Sequence, residues 1–267
     1  MSAITRDAFL GGRLVLEQPS VGHRVGTDAA LLAAAVTPAA GDRVFDFGAG
    51  VGAVGLAIAL NAPAASLTLV ERDPEIAALA AANIAANGLS ARVTIVAADL
   101  TARKAAGLQP LGADHVVMNP PFHLPGTTRA SPAAYRETAH IGAAATDDAW
   151  AQAAAALLRH GGILAQIHRA DALPRLLAAL EGRFGDIRVL PVLPGAAAAA
   201  TRVLVRAVRG SRAPLVLLPP LVLHGDDGRF TPLAEQLHRG EGAIDWLITK
   251  NNPQRRTAGG RSEIGGR

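Results

Sequence analysis

Cysteine is absent from the 267 residues, so the chain forms no disulfide and offers no thiolate to a metal. Aromatic residues make up only 3%, which makes Phe122, Tyr135 and Trp150 conspicuous. Lysine is nearly missing: Lys104 and Lys250 are the only two among 26 basic residues, and arginine supplies the rest. The net charge is +4 and the pI about 10.5. Arginine pairs bidentately with phosphate and stacks on bases, but a genomic composition bias explains the excess equally well. Charge alone therefore assigns no nucleic-acid partner. No uninterrupted apolar run reaches about 18 residues, so no membrane span is expected. The opening Met1-Ser2-Ala3-Ile4-Thr5-Arg6-Asp7 lacks an apolar signal core, and a cytoplasmic protein is the default expectation. His140, His160 and His168 are scattered without ligand spacing, and no metal is expected.

Half the residues are hydrophobic and 18% are charged, enough for a sizeable core in one large domain. Residues 12–26 read as a short hairpin, with Gly11-Gly12 before it and Gly22 and Gly26 within it. Thr27-Asp28 is positioned to cap a helix over Ala29–Val36. A regular alternation follows. Strands are expected at Arg43–Phe47, Ser66–Glu71, Arg92–Ala97, Asp114–Met118, Ile163–His168, Ile187–Val192 and Arg202–Val208. Helices are expected at Ala53–Leu60, Pro74–Asn87, a short segment near 102–107, Ala149–Arg159 and Asp171–Leu180. Pro74 suits a first turn, Gly88 a helix end, and Gly161-Gly162 the close of the fourth helix. Strands alternating with helices predict a doubly wound, mostly parallel sheet. Pro214–His224 reads as an extra edge strand broken by Pro219-Pro220. Residues 1–238 form a single domain on this reading, with 1–40 as an N-terminal extension of hairpin and helix. Residues 239–267 lose periodicity, end polar, Gly-rich and basic, and are expected to be a flexible tail.

The densest signal is Asn119-Pro120-Pro121-Phe122, at the end of an expected buried strand. Two prolines stiffen the backbone and remove two N–H donors, leaving carbonyls outward as acceptors. The Asn119 side chain adds another acceptor, and Phe122 offers a face on which a flat base can stack. The cluster suits a grip on a planar amine, and so points to methyl transfer to an exocyclic or amide nitrogen. A rigid turn without function is the alternative.

The first strand ends Asp46-Phe47-Gly48-Ala49-Gly50-Val51-Gly52. Its glycines permit a tight turn and bring a ligand close to the following helix. Residues 50–55 also match G-x-G-x-x-G, so a dinucleotide site must be considered. Asp46 argues against it, because a carboxylate beside a pyrophosphate is repulsive, whereas one beside the ammonium of S-adenosylmethionine is attractive. Glu71 ends the second strand, where a carboxylate can accept both ribose hydroxyls. Asp99, after the third strand, is a candidate for the adenine amino group, or else a loop or N-cap acid. With Asn119 at the end of the fourth strand, also a candidate for the donor site, these positions share the strand ends at which open α/β sheets bind ligands.

The set Asp46-x-Gly48-x-Gly50-x-Gly52, Glu71, Asp99 and Asn119-Pro120-Pro121-Phe122 resembles the class I S-adenosylmethionine-dependent amino-methyltransferases. That resemblance implies a seven-stranded Rossmann-like methyltransferase sheet with the last strand antiparallel. A narrower resemblance rests on Phe9-Leu10-Gly11-Gly12-Arg13-Leu14, Gln18-Pro19 and Gly22-His23-Arg24-Val25-Gly26-Thr27-Asp28-Ala29-Ala30-Leu31-Leu32. Arg202-Val203-Leu204-Val205, Leu221-Val222-Leu223-His224-Gly225 and Phe230-Thr231-Pro232 extend it. Together they resemble the bacterial tRNA1(Val) adenine-N6 methyltransferase family over about residues 6–238. This implies S-adenosylmethionine as cofactor, tRNA as substrate and the adenosine 3′ of a valine anticodon as target, in a monomeric enzyme. rRNA guanine-N2 methyltransferases share Asn-Pro-Pro-Phe-His and release-factor glutamine methyltransferases share Asn-Pro-Pro-aromatic, so both remain alternatives. A catalytically silent RNA-binding protein on the same fold is the non-enzymatic one.

In the leading mechanism the Asn119 oxygen and the Pro120 carbonyl accept the two N–H bonds of the target amine, and Phe122 stacks on the extruded base. Positioning and local electrostatics carry most of the catalysis. His123 is a candidate substrate contact or a loop histidine with local bonds. The segment 123–145, with Arg129, Tyr135 and Arg136, is long enough for a substrate loop. Arg24, Thr27 and Asp28 are candidates to cover the donor or touch RNA, although capping explains Asp28 without a ligand. Arg255, Arg256 and Arg261 could add phosphate contacts.

Overall fold

The computed structural model describes residues 3–21, 24–100, 112–120 and 147–247. Several expectations lie outside those residues: the helical segment near 102–107, Pro121, Phe122, His123, the 123–145 segment and the chain beyond 247.

The chain opens with an antiparallel hairpin of β1 (Ile4–Phe9) and β2 (Leu14–Pro19), Phe9 opposite Leu14. This corrects the expected 12–26 hairpin. Gly11-Gly12 forms the turn itself, because Leu10, Gly11 and Gly12 run through left-handed φ of 51°, 65° and 89°. Helix α1 (Thr27–Ala34) follows. Its N-cap is Gly26, with no side-chain hydrogen bond, so the expected Thr27-Asp28 cap is absent. Asp28 is instead committed to an ion pair with Arg202 at 2.9 Å.

The main sheet comes next. β3 (Arg43–Phe47) leads to α2 (Ala53–Asn61), β4 (Ser66–Glu71) to α3 (Pro74–Ala86), and β5 (Val93–Ala97) and β6 (Ala113–Met118) complete the first half. Asp73 caps α3 by accepting from the N–H groups of Glu75 and Ile76, and Pro74 opens the helix. Residues 147–157 form α4. β7 (Leu158–Arg169), α5 (Leu173–Leu180), β8 (Phe184–Gly195) and β9 (Arg202–Arg209) follow. Gly161-Gly162 was expected to end the fourth helix, but it lies inside β7. The strand starts at Leu158 and takes up the extra length as a register shift against Ala113 and His115 of β6.

The sheet order is β5-β4-β3-β6-β7-β9-β8, with β9 antiparallel to both neighbours. Two short strands, β10 (Val216–Leu217) and β11 (Leu221–His224), pair in succession along the free edge of β8. They are the edge strand expected at Pro214–His224, interrupted at the two prolines. Alternate residues sort the core onto two faces. Val44, Leu69, Val117, Ala165 and Leu204 pack under the hairpin, α1, α2 and α3. Phe47, Val70, Val116, Met118, Leu164 and Val205 pack under α4 and α5. Helix α6 (Pro232–His238) packs against α1 and β11.

Residues 239–247 depart from the flexible tail expected there. The Ile244 N–H donates to the Ala34 carbonyl at 2.8 Å, and Trp246 Nε1 donates to that of Ala35 at 2.8 Å. Arg188 donates to the Trp246 carbonyl. The free carbonyls at the end of α1 thus find their partners in a distant strap. Among the described residues no helix is long and apolar enough to cross a membrane.

Candidate active site

Register places the site. Phe47 of β3 pairs with Val70 of β4 and with Met118 of β6, and Met118 pairs with Gln166 of β7. The residues just past those positions on β3, β4 and β6 (Gly48, Glu71 and Asn119) therefore stand together along one edge of the sheet, with His168 two residues past Gln166 on β7.

The turn after β3 is built from glycines with left-handed backbones at 48, 50 and 52. Gly48 needs its glycine twice over. Its φ is +63°, and an added Cβ would lie 2.5 Å from Cη2 of Trp150, which α4 lays across the turn. Gly55 is required by closeness instead. A Cβ there would meet Leu69 Cδ2 at 2.1 Å and Asp46 Oδ2 at 3.2 Å. The literal G-x-G-x-x-G match thus ends on a glycine that seats α2 directly on β3 and β4.

Asp46 lies beneath this turn, 2% exposed, with Oδ2 accepting the Gly55 N–H at 2.9 Å. Burial raises its pKa to about 7. The Gly55 hydrogen bond opposes that rise, and the Glu71 charge adds to it. Asp46 therefore supports the turn from behind. Glu71 is at the front. Its Oε2 accepts the Gly50 N–H at 3.0 Å and its Oε1 accepts the Asp73 N–H at 3.0 Å. The Gly50 N–H is thus committed to a carboxylate within the turn. Asp99 is exposed just beyond β5, on the same edge.

Asn119 and Pro120 follow β6 directly. The Asn119 Oδ1 is buried and makes no hydrogen bond among the described residues. A buried amide oxygen left unsatisfied costs roughly 1–3 kcal/mol, and such atoms in native proteins call for a reason.

The remaining candidates sit apart from this turn. Arg24 donates to Asp7 at 2.8 Å, and Asp7 also accepts from Gln18 at 2.8 Å, so Arg24 is tied to the hairpin. Thr27 opens α1 and Asp28 pairs with Arg202. Beyond Asn119, the buried His168 accepts the Arg169 N–H at Nδ1 and lies 3.3 Å from Arg175, which pairs with Asp147. Burial first, and then the Arg175 charge, lower the His168 pKa to about 4, so it is neutral near pH 7. This polar group was not foreseen, since its members are spread from 147 to 175 without a motif. Trp150 carried one faint signal, its rarity. Asn83, in the interior of α3, carried none.

The family model for the methyltransferase small domain matches residues 20–191. The tRNA1(Val) (adenine(37)-N6)-methyltransferase of Porphyromonas gingivalis is 33% identical over 203 residues, 69% of this chain and 76% of that protein. The protein of the same name from Aeromonas hydrophila is 29% identical over 216 residues, 80% of this chain and 88% of that protein. The crystal structure of "a predicted O-methyltransferase", protein Atu636 from Agrobacterium tumefaciens, superposes with a TM-score of 0.70 at 33% identity, covering 81% of this chain and 98% of that one.

Proposed function

The chain belongs to the methyltransferase small domain family, and we propose that it is an S-adenosylmethionine-dependent enzyme that methylates N6 of an adenosine in tRNA. The substrate class is carried over from the relatives named for adenine 37 of tRNA1(Val). The observation that carries the chemistry is the buried Asn119 oxygen, which has no hydrogen bond among the described residues, one residue past β6 and beside the glycine turn.

The residues present fit the donor. It carries an ammonium, a sulfonium and a carboxylate and no phosphate, and the turn presents the Glu71 carboxylate, with Asp46 buried behind it. Glu71 keeps lone pairs beyond those used by Gly50 and Asp73, and so can accept ribose hydroxyls. Asp99 is the candidate for the adenine amino group. When bound, S-adenosylmethionine supplies an electrophilic methyl group. Asn119 Oδ1 accepts one N–H of the target amine, and the Pro120 carbonyl is the candidate acceptor for the other. Those two bonds turn the nitrogen lone pair, otherwise delocalised into the ring, out of the base plane and toward the methyl. Trp150 closes the turn from the α4 side. Phe122 remains the candidate stacking partner and Pro121 the stiffener of the loop, with His123 a possible substrate contact. We take the catalytic domain as residues 1–238 with the 239–247 strap docked on α1, acting as a monomer in the cytoplasm.

The test is incubation with labelled S-adenosylmethionine and unmodified total RNA, followed by nucleoside analysis. N6-methyladenosine in the tRNA fraction is the expected product. N2-methylguanosine in rRNA, label on a hydroxyl, or label only in protein overturns the assignment.

A further inference from the structure

Asn83, in the last turn of α3, and Asn87, its C-cap, stand four residues apart, so their side chains lie one above the other. They face Glu17 and Val15, two residues apart on β2 and on one side of its ladder. The Glu17 N–H donates to Asn83 Oδ1 at 2.7 Å, and Asn83 Nδ2 donates to the Glu17 carbonyl at 2.9 Å. The Val15 N–H donates to Asn87 Oδ1 at 3.1 Å, and Asn87 Nδ2 donates to the Val15 carbonyl at 2.9 Å. Each primary amide replaces the peptide of a neighbouring strand, which satisfies the free edge of the hairpin.

The two amides differ in their remaining N–H. That of Asn87 goes to the Asn83 carbonyl within its own helix, at 2.8 Å. That of Asn83 goes to the Val51 carbonyl at 3.0 Å. Val51 lies between Gly50 and Gly52, whose φ values are 56° and 93°. A peptide flanked by glycine can flip with little steric opposition, and a bond to its carbonyl removes that freedom. Asn83 is fully buried, and its oxygen and both its N–H bonds are engaged.

We propose that Asn83 is a positioning residue of the donor site, fixing the Val51 peptide and joining the glycine turn to the docked N-terminal hairpin. The proposal rests on the reading of residues 46–52 as the donor site. The hairpin then acts as part of the donor-binding apparatus, although it contributes no group to it.

The test compares Asn83→Ala with Asn87→Ala in the full chain. Each releases one amide from β2, but only the first releases the turn. Calorimetric titration with S-adenosylmethionine is expected to show affinity reduced about tenfold in Asn83→Ala, the scale of one lost buried hydrogen bond. Turnover at saturating donor stays near wild type, so the defect falls on KM. Amide exchange quickens at residues 50–52. Asn87→Ala lowers the melting temperature while donor affinity stays near wild type. If Asn83→Ala does not fold, Asn83→Ser takes its place with the same expectation. Equal donor affinity in the two variants, with wild type binding normally, overturns the proposal alone. Wild type that takes up no S-adenosylmethionine overturns the donor-site reading and the proposal with it.

Discussion

The Glu71 carboxylate accepts the backbone N–H of Gly50 at 3.0 Å. The acid that ends β4 and the turn that ends β3 are thereby one structure, and a ligand touching either feels both. Glu71→Ala removes two acceptors from that corner and leaves the Gly50 and Asp73 N–H groups to water. Hydrogen bonds to a charged group contribute about 1.5–3 kcal/mol. Titration calorimetry is therefore expected to show S-adenosylmethionine affinity falling by at least about tenfold. Glu71→Gln keeps one acceptor oxygen and falls between the two. Unchanged affinity in Glu71→Ala would remove this residue from the donor site.

Asn119 gives a prediction in which activity and stability part company. Its buried oxygen makes no hydrogen bond among the described residues, so it adds nothing to the stability of the fold and its burial opposes it. Asn119→Ala is expected to retain its melting temperature and its affinity for S-adenosylmethionine. Turnover falls by about 100-fold or more, the scale set by removing one preorganised polar group from a reacting centre. A variant with wild-type turnover would place the chemistry elsewhere.

What was legible in the sequence follows from which interactions are local. β3 and β4 were found to the residue because buried parallel strands read as short apolar runs bounded by glycine and proline. The glycine turn after β3 was legible because left-handed backbone demands glycine at 48, 50 and 52. Misreadings came where a residue serves a distant partner. Asp28 reads as a cap, yet it belongs to Arg202, 174 positions away. Asn83 carries no signal in the sequence, because its three bonds join β2 to the turn, both remote from it along the chain. The hairpin was shifted because Leu10, a residue that disfavours positive φ, enters the turn ahead of the two glycines. Residues 239–247 looked featureless because their order comes from α1 carbonyls, which leave no periodic pattern.

Gly48 is strained by any side chain. At φ +63°, with Trp150 Cη2 2.5 Å from an added Cβ, Gly48→Ala pays both a backbone and a steric penalty. Together these are expected to cost about 1–3 kcal/mol, seen as a lower denaturation midpoint. The double variant Gly48→Ala/Trp150→Ala relieves the steric part, so the two single losses sum to more than the loss in the double. Strict additivity would mean that the indole does not press on the turn.

The last prediction concerns pH. Asp46 is neutral more readily in the folded protein than in the unfolded chain, its pKa raised from 3.8 to about 7 chiefly by burial. The folded state therefore holds a proton that the unfolded state has released. Linkage gives the sign: the stability tied to this group is fully present below 3.8 and is lost as pH rises through about 7. Asp46→Asn keeps an oxygen to accept the Gly55 N–H but has no charge to desolvate. Its melting temperature is expected to draw level with or pass that of wild type as pH rises from about 5 to 8, with about 4 kcal/mol as the upper bound on the difference. Saturating S-adenosylmethionine would bring positive charge if it binds at this turn, and would then favour the ionised carboxylate and shrink the wild-type loss. Melting curves across that pH range, with and without donor, decide it. A difference between Asp46→Asn and wild type that does not change with pH would mean that Asp46 does not titrate in this range.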